Sequence, residues 1–476
     1  CSTGTAQDAG SDGAHVVASD TSILADAGEW MPIHCHQNCN QMCLNMGYVV
    51  DGVVIRQKTD DAREDSFDCP QQRGCLRGRS LRQQVYNADR IKYPMKRKSW
   101  QPGGGEATHG ELRGKDEWER ISWDDALTYV TDELKRVYAE HGQDAVVCNA
   151  WRWAPGSAMF PVIGGAVYDT ETESFGCWAF QTEALGLYSH GDHPDLMMGP
   201  DKYDLPNADT IVLYGCNPAW AQHSSMYWLM NAKDAGVDFV YVGPSYNVTA
   251  SALGARWIRV RPGTDTAMAM AWLSIIINED LYDHDFVEKW CFGFEQFAER
   301  VQTMSVAEAA EICEVSVEDI YKAARCLAQK PCTASVGLKT DQNPNTLQIC
   351  HAIWGIFAIC GNLDNPGGIK LGQTMLNGGS TGRKGVGMQV QEEDTNPIPI
   401  AGHDQYPAMD FIINTTQPDC TLDTLRTNIP YPIEFLFIQS SNFISSCITQ
   451  QPMQWMEACR HKEFVVATDI FMNPTI

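Results

Sequence analysis

The sequence has no apolar run near the roughly 18 residues that cross a bilayer. It is poor in basic residues, with 35 Lys and Arg against 60 Asp and Glu and a net charge of −25, which argues against nucleic acid as a partner. No Gly-x-Gly-x-x-Gly follows a strand, so an ordinary NAD site is not supported, and no short-period repeat is present. There is also no initiator Met. The chain opens at Cys1-Ser2-Thr3-Gly4, and up to Gly28 it contains no Lys, Arg or aromatic residue. Such a stretch buries too little to fold, so residues 1–28 read as a flexible tether. A Cys followed by small residues is how a mature bacterial lipoprotein begins, which sets the expectation of an extracytoplasmic, membrane-facing protein anchored through Cys1. A chain cut at that point, or a cytoplasmic one, reads the same way.

What remains is ample for several cores. With 476 residues, 44% apolar and 20% charged, a soluble multi-domain protein is expected. The 18 cysteines are too dispersed for a small disulfide scaffold. Cys148, Cys291, Cys326 and Cys350 read as small core residues. One group differs: Cys35, Cys39 and Cys43, then Cys75 after 31 intervening residues. Three close thiolates plus a distant fourth suit a [4Fe-4S] cubane, in which each iron takes one Cys. Structural zinc is the competing reading, although its usual pattern is two close pairs. Cys69 competes with Cys75 as fourth ligand, but the Arg-Gly context surrounds Cys75.

Periodicity divides the rest. Residues 29–100 form the Cys-rich domain, ending in the basic run Lys92–Lys98. Ser122 with Asp125 reads as a helix cap, followed by Ala126, Leu127, Val130, Leu134 and Val137 at helical spacing. Thr210–Tyr214 and Phe239–Val242 read as buried strands joined by a helix from about Ser224 to Ala235, a parallel α/β unit. Its turns, Gly215-Cys216-Asn217-Pro218 and Gly243-Pro244, lie at the carboxyl ends of strands, where such sheets bind ligands. Residues 151–344 are expected to form one α/β domain, and 101–150 with 345–476 a discontinuous second. In the latter, a helix through Ile349–Ile359, long loops over 375–430, and strands at Glu434–Ile438 and Glu463–Ala467 are expected. The stop at Ile476 suggests a missing C-terminal portion.

Several motifs now stand in order: Cys-x3-Cys-x3-Cys, Arg73-Gly74-Cys75-Leu76-Arg77-Gly78-Arg79, Asp89–Pro94, and Trp118-Glu119-Arg120-Ile121-Ser122-Trp123-Asp124. Gly215-Cys216-Asn217-Pro218, Arg261-Pro262-Gly263-Thr264-Asp265, and Gly361-Asn362 with Pro366-Gly367-Gly368 continue them. Together they resemble the DMSO reductase family. The resemblance implies a four-domain fold around two molybdopterin guanine dinucleotides carrying molybdenum or tungsten. It also implies an iron–sulfur electron-transfer subunit and a membrane anchor as partners. It places Gly215, Asn217, Pro218, Gly243, Pro244, Arg261, Gly263 and Asp265 against the cofactor, through backbone N–H groups and a carboxylate. Arg77 stands where many relatives have Lys and would lie on the electron path. The metal ligand in this family follows a Gly-containing helix end. Here Ser174 comes nine residues after Gly165, with Cys177 as the competing donor.

Glu173 directly precedes Ser174, and Trp178 follows shortly. That arrangement resembles pyrogallol–phloroglucinol transhydroxylase and the catechol dehydroxylases. It implies a small aromatic substrate and a carboxyl group that protonates a departing hydroxyl. His193, and His190 beside it, are further candidates for the substrate funnel. Two other readings stand beside reductive dehydroxylation: an S- or N-oxide reductase or hydroxyl transferase, and a metal-free electron-transfer subunit.

Overall fold

A computed structural model describes residues 28–35, 43–66, 69, 71, 74–150, 155–168, 199–337, 345–370, 401–402, 404–405, 418–439, 441–442, 444–445 and 451–476. The chain divides into two units, Cys1–Asn87 and Ala88–Ile476. The expected tether lies outside the described residues, except for Gly28.

The first unit is built on β1 (Glu29–His34), β2 (Leu44–Val50) and β3 (Val53–Thr59), an antiparallel sheet in that order. Asp51 and Gly52 join β2 to β3 with φ of 48° and 79°, the paired positive φ that a two-residue hairpin turn requires. Two short helices, Leu76–Arg79 and Leu81–Val85, follow. Gln57 on β3 holds them, donating to the Gly78 carbonyl (3.3 Å) and accepting from the Arg82 amide (2.7 Å).

In the second unit β4 (Met95–Arg97) pairs with β5 (Trp118–Arg120). The sequence reading placed the basic run with the Cys-rich part; its strand pairing is here. The helix Trp123–His141 starts as expected, with the Ser122 hydroxyl accepting from the Asp125 amide, but Leu127 faces solvent while Tyr129, Val130 and Leu134 turn inward. The strands that follow are β6 (Val146–Ala150), β7 (Ala166–Tyr168), β8 (Thr210–Tyr214), β9 (Asp238–Val242), β10 (Arg256–Ile258), β11 (Cys332–Val336), β12 (Phe435–Gln439) and β13 (Phe464–Thr468). They form two parallel sheets, ordered β7-β6-β12-β13 and β10-β9-β8-β11.

The run Thr210–Tyr214 is apolar without alternation because both faces of its sheet are covered. Val212 and Tyr214 face a core with the helices Asp265–Asn278 and Thr346–Ile359. Ile211 and Leu213 face another with the helix Ser225–Asp234. Each large side chain so buried contributes about 1.5–3 kcal/mol. The helix Thr346–Ile359 thus packs on the sheet of β8, although the sequence reading grouped it with β12 and β13. A second difference is the helix Pro418–Thr427, inside the stretch expected to be loop. It forms because Leu422 and Leu425 share a buried face; its many polar residues hid that pattern. No helix of the described residues is long and apolar enough to cross a membrane.

Candidate functional site

The cysteines come together through the first sheet. Cys35 directly follows β1 and Cys43 directly precedes β2, and the Cys35 amide donates to the Cys43 carbonyl at 2.9 Å. Both are nearly buried, at 5% and 8% exposure. Cys75 caps the helix Leu76–Arg79, which lies over Cys35: a Cβ on Gly78 would stand 3.3 Å from Cys35 Sγ. The Thr59 hydroxyl fixes the approach by accepting from the Gly74 amide at 2.9 Å. Cys35, Cys43 and Cys75 therefore stand on neighbouring parts of one small sheet-and-helix unit, while Cys39 lies outside the described residues. Cys69 is exposed. An all-sulfur donor set with glycine in the adjacent helix fits an iron–sulfur cluster and also a structural zinc. Arg77 is exposed on the same short helix.

The second convergence is at the carboxyl ends of β8, β9 and β11. The chain leaves β8 toward β9 and β10 on one side, and β11 returns on the other, so the connections diverge and open a crevice. Gly337 makes the two strand ends close: its amide donates to the Tyr214 carbonyl at 2.8 Å, and a Cβ there would lie 2.7 Å from Cys216 Cβ. Gly215 turns the chain with φ of 62°. Asn217 precedes Pro218 at the start of a short helical turn, Pro218–Ala221. The Thr249 hydroxyl donates to Asn217 Oδ1 at 2.7 Å and accepts from the Ala219 amide at 2.9 Å. Asn247 donates to the Cys216 carbonyl at 3.0 Å and caps the helix Val248–Leu253. Burial pushes the Cys216 thiol up to about 12, so it stays protonated and serves packing.

Two expectations about this crevice change. The amides of Gly215 and Gly243 were expected to meet a ligand, but they extend the sheet, donating to the Val242 and Ile258 carbonyls at 2.9 and 3.1 Å. Asp265, the first residue of its helix, lies in the wall at 2% exposure, where Oδ1 accepts from the Tyr214 hydroxyl at 3.0 Å. Burial, then the Asp265 charge, holds the Tyr214 phenol well above its ordinary value. Gly263, with φ of 84°, has open space where a Cβ would stand, and Arg261 beside it is exposed, 3.7 Å from Glu314. Pro244 is exposed after β9. The turn Gly361–Gly368 sits at the opposite, amino edge: Asn362 accepts from the Cys332 amide (3.0 Å), and the Gly367 amide donates to Asp204 (2.7 Å). It ties strands together there.

Glu173, Ser174, Cys177, His190 and His193 lie outside the described residues, but the entry to their segment is described. The helix Pro155–Ile163 ends at Gly164-Gly165, with φ of 98° and 135°, and β7 follows. Its last residue, Tyr168, is buried; its hydroxyl bonds to that of Tyr431 and accepts from the Ala401 amide at 3.3 Å. Burial is the largest influence on the Tyr168 phenol and pushes it up to about 12. Elsewhere among the described residues, Glu140, His141 and Glu463 approach within metal-binding distance. Arg136 donates to both carboxylates and to Glu133, so the group is part of an ion-pair network.

Sequence reasoning missed Gly337, Thr249, Asn247 and Asn45. Asn247 had a readable signal, an Asn one residue before a helical run. The others acquire their roles only when distant strands meet.

Residues 90–476 match the family model described as Molybdopterin oxidoreductase. The dimethyl sulfoxide reductase DmsA of Haemophilus influenzae is 28% identical over 92% of this chain and 56% of its own length. The pyrogallol hydroxytransferase large subunit of Pelobacter acidigallici is 29% identical over 53% of this chain and 33% of its own. Among solved structures, acetylene hydratase from Pelobacter acetylenicus aligns with a TM-score of 0.71 and 22% identity, over 93% of this chain and 61% of that one. The chain spans little more than half the length of the DmsA relative.

Proposed function

The chain belongs to the molybdopterin oxidoreductase family, and on that premise we propose that it serves the molybdenum-dependent reductive dehydroxylation of a catechol or related polyphenol. The observation that carries this reading is Glu173-Ser174-Phe175-Gly176-Cys177-Trp178, placed nine residues after Gly164-Gly165 begins to give way to β7. The similarity to a pyrogallol hydroxytransferase large subunit supports it.

The reaction takes two electrons and two protons: the ring C–O bond breaks, the ring carbon gains hydrogen, and the hydroxyl leaves as water. When bound, the molybdenum bis-pterin group supplies two-electron chemistry at one metal, and tungsten can take the same place. Ser174 offers an alkoxide, a donor suited to a hard high-valent metal, with Cys177 the softer alternative. Glu173 gives its proton to the departing oxygen, and His193 with His190 lines the approach of the aromatic substrate. The dinucleotide would lie along the crevice of Gly215, Asn217, Gly263 and Gly337, where a Cβ on Gly337 would meet Cys216 and Gly215 and Gly263 turn the chain with positive φ. Cys35, Cys39, Cys43 and Cys75 would hold a [4Fe-4S] cluster that supplies the entry point for electrons, with Arg77, two residues after Cys75, as a cation on that path. Partners of matching chemistry are an iron–sulfur electron-transfer subunit and a membrane anchor.

A second reading, reduction of an S- or N-oxide, is favoured by the long alignment with the DmsA relative. The full-length protein, purified without oxygen and driven by reduced viologen, decides between them on a panel of catechols, dimethyl sulfoxide and trimethylamine N-oxide. Glu173→Gln should lower catechol turnover by about 10²–10⁴-fold with metal content unchanged. Parental turnover in that variant removes the proton-donor role. Reduction of the oxides with no action on any catechol installs the second reading. Absence of both molybdenum and tungsten from the active-competent preparation would leave an electron-transfer subunit.

A further inference from the structure

Among the described residues of the Cys-bearing unit, two polar side chains are fully buried, Asn45 and Asp60, and Asp60 is held by the Ala62 amide and Arg63. Asn45, the second residue of β2, is 0% exposed. Its Nδ2 reaches the Cys43 carbonyl only at 3.5 Å, the outer limit of a hydrogen bond, and its Oδ1 reaches no partner. An apolar residue of the same size would avoid desolvating an amide for so little return. The amide also has a specific address. Gly74 and Gly78, on either side of Cys75 and Leu76, are what leave room for it. A Cβ on Gly74 would collide with Oδ1, and a Cβ on Gly78 would stand 3.2 Å from Nδ2 and 3.3 Å from Cys35 Sγ. The side chain therefore lies between the paired strand ends of Cys35 and Cys43 and the helix that Cys75 caps.

The two ends of an amide share one shape and differ in hydrogen bonding. Thiolate and sulfide sulfurs only accept, so the end of Asn45 that suits them is the NH2. A donor aimed at the sulfurs of a cluster favours its reduced form, which carries the additional negative charge. We infer that Asn45 is a positioning residue of the iron–sulfur site: its buried amide donates to the sulfurs gathered by Cys35, Cys43 and Cys75 and raises the reduction potential of the cluster. This rests on the cluster reading given under the proposed function. It concerns Asn45 alone, since the cysteines would hold a cluster without it.

The test uses the full-length protein, purified anaerobically, with iron and sulfide counted per chain and the reduced cluster followed by EPR in a redox titration. Asn45→Leu, of similar size but without a donor, should keep its iron. Its reduced-to-oxidised ratio at a fixed potential should fall about tenfold, equivalent to about 59 mV for one electron. Asn45→Asp, of the same shape with a negative charge, should shift the same way and further. An unchanged potential in an iron-replete Asn45→Leu protein overturns the role of Asn45 and leaves the cluster standing. If Asn45→Leu loses iron, an unchanged potential in Asn45→Asp overturns it instead. Zinc in place of iron in the parent protein would overturn the cluster reading, and this inference with it.

Discussion

Replacing Gly337 by Ala tests whether the crevice beyond β8 and β11 depends on close approach of their ends. The added Cβ would lie 2.7 Å from Cys216 Cβ, 2.8 Å from the Gly215 oxygen and 2.9 Å from Cys216 Cα. All three are fixed by the backbone, so no flexible side-chain end can swing away. Relief requires the strand ends to part by several tenths of an ångström, which stretches the 2.8 Å bond from the Gly337 amide to the Tyr214 carbonyl. Overpacking of this kind costs about 1–3 kcal/mol. For a domain of roughly 150–250 residues each kcal/mol lowers Tm by about 2–4 °C, so a fall of about 2–12 °C is expected. Gly199→Ala is the control, because nothing lies within 4 Å of its added Cβ. Calorimetry of both variants beside the parent gives the shift, and guanine nucleotide released by acid hydrolysis reports cofactor retention. The reasoning fails if Gly337→Ala melts with the parent and releases as much nucleotide.

Asn362→Leu removes the acceptor for the Cys332 amide and the donor that reaches the Gln329 carbonyl at 3.2 Å. Leaving the buried Cys332 amide unpaired should cost roughly 1–3 kcal/mol, read as an earlier urea midpoint; a midpoint within error of the parent would contradict it. Asp204 gives a pH-dependent prediction. Burial works to raise its pKa, but hydrogen bonds from Asn207, Lys370 and the Gly367 amide prevail and hold it below the ordinary aspartate value. With a depressed folded pKa, its contribution is complete above the unfolded value and is lost as pH falls through the folded one. Asp204→Asn should therefore destabilise at pH 7 and lose part of the parent's acid dependence; parallel stability–pH curves would refute this.

How much was legible follows from where each signal resides. The strands Thr210–Tyr214 and Asp238–Val242 were readable because a parallel strand buried on both faces is apolar throughout. The cysteine group could be read as a candidate ligand set because its spacing is a property of the chain itself. The helix Pro418–Thr427 was not, since polar residues dominate it and two leucines carry its buried face. That the amides of Gly215 and Gly243 extend the sheet was not legible, because a turn sequence does not say whether its N–H groups point to solvent or join the ladder. Gly337 and Asn45 were invisible for a shared reason. Their constraints come from residues far away in sequence: Cys216 for the first, Gly74 and Gly78 for the second.

The order of the strands bears on the proposed two-dinucleotide cofactor. In each parallel sheet the earliest strand is interior, with its immediate successor on one side and a much later strand on the other: β6 between β7 and β12, β8 between β9 and β11. Each arrangement opens one crevice at the carboxyl edge, which would give each of the two proposed dinucleotides a place in the second unit. The two are built differently. At β8 the approach is made by Gly337 against Cys216, whereas at β6 the Gly156 amide donates to the side chain of Gln439 at 2.7 Å. A metal held between two such ligands would need its protein donor on a segment leaving a carboxyl edge. Ser174 would meet that requirement by sequence alone, since it comes six residues after Tyr168, the last residue of β7. A donor on the Gly361–Gly368 turn, at the amino edge of the other sheet, would not.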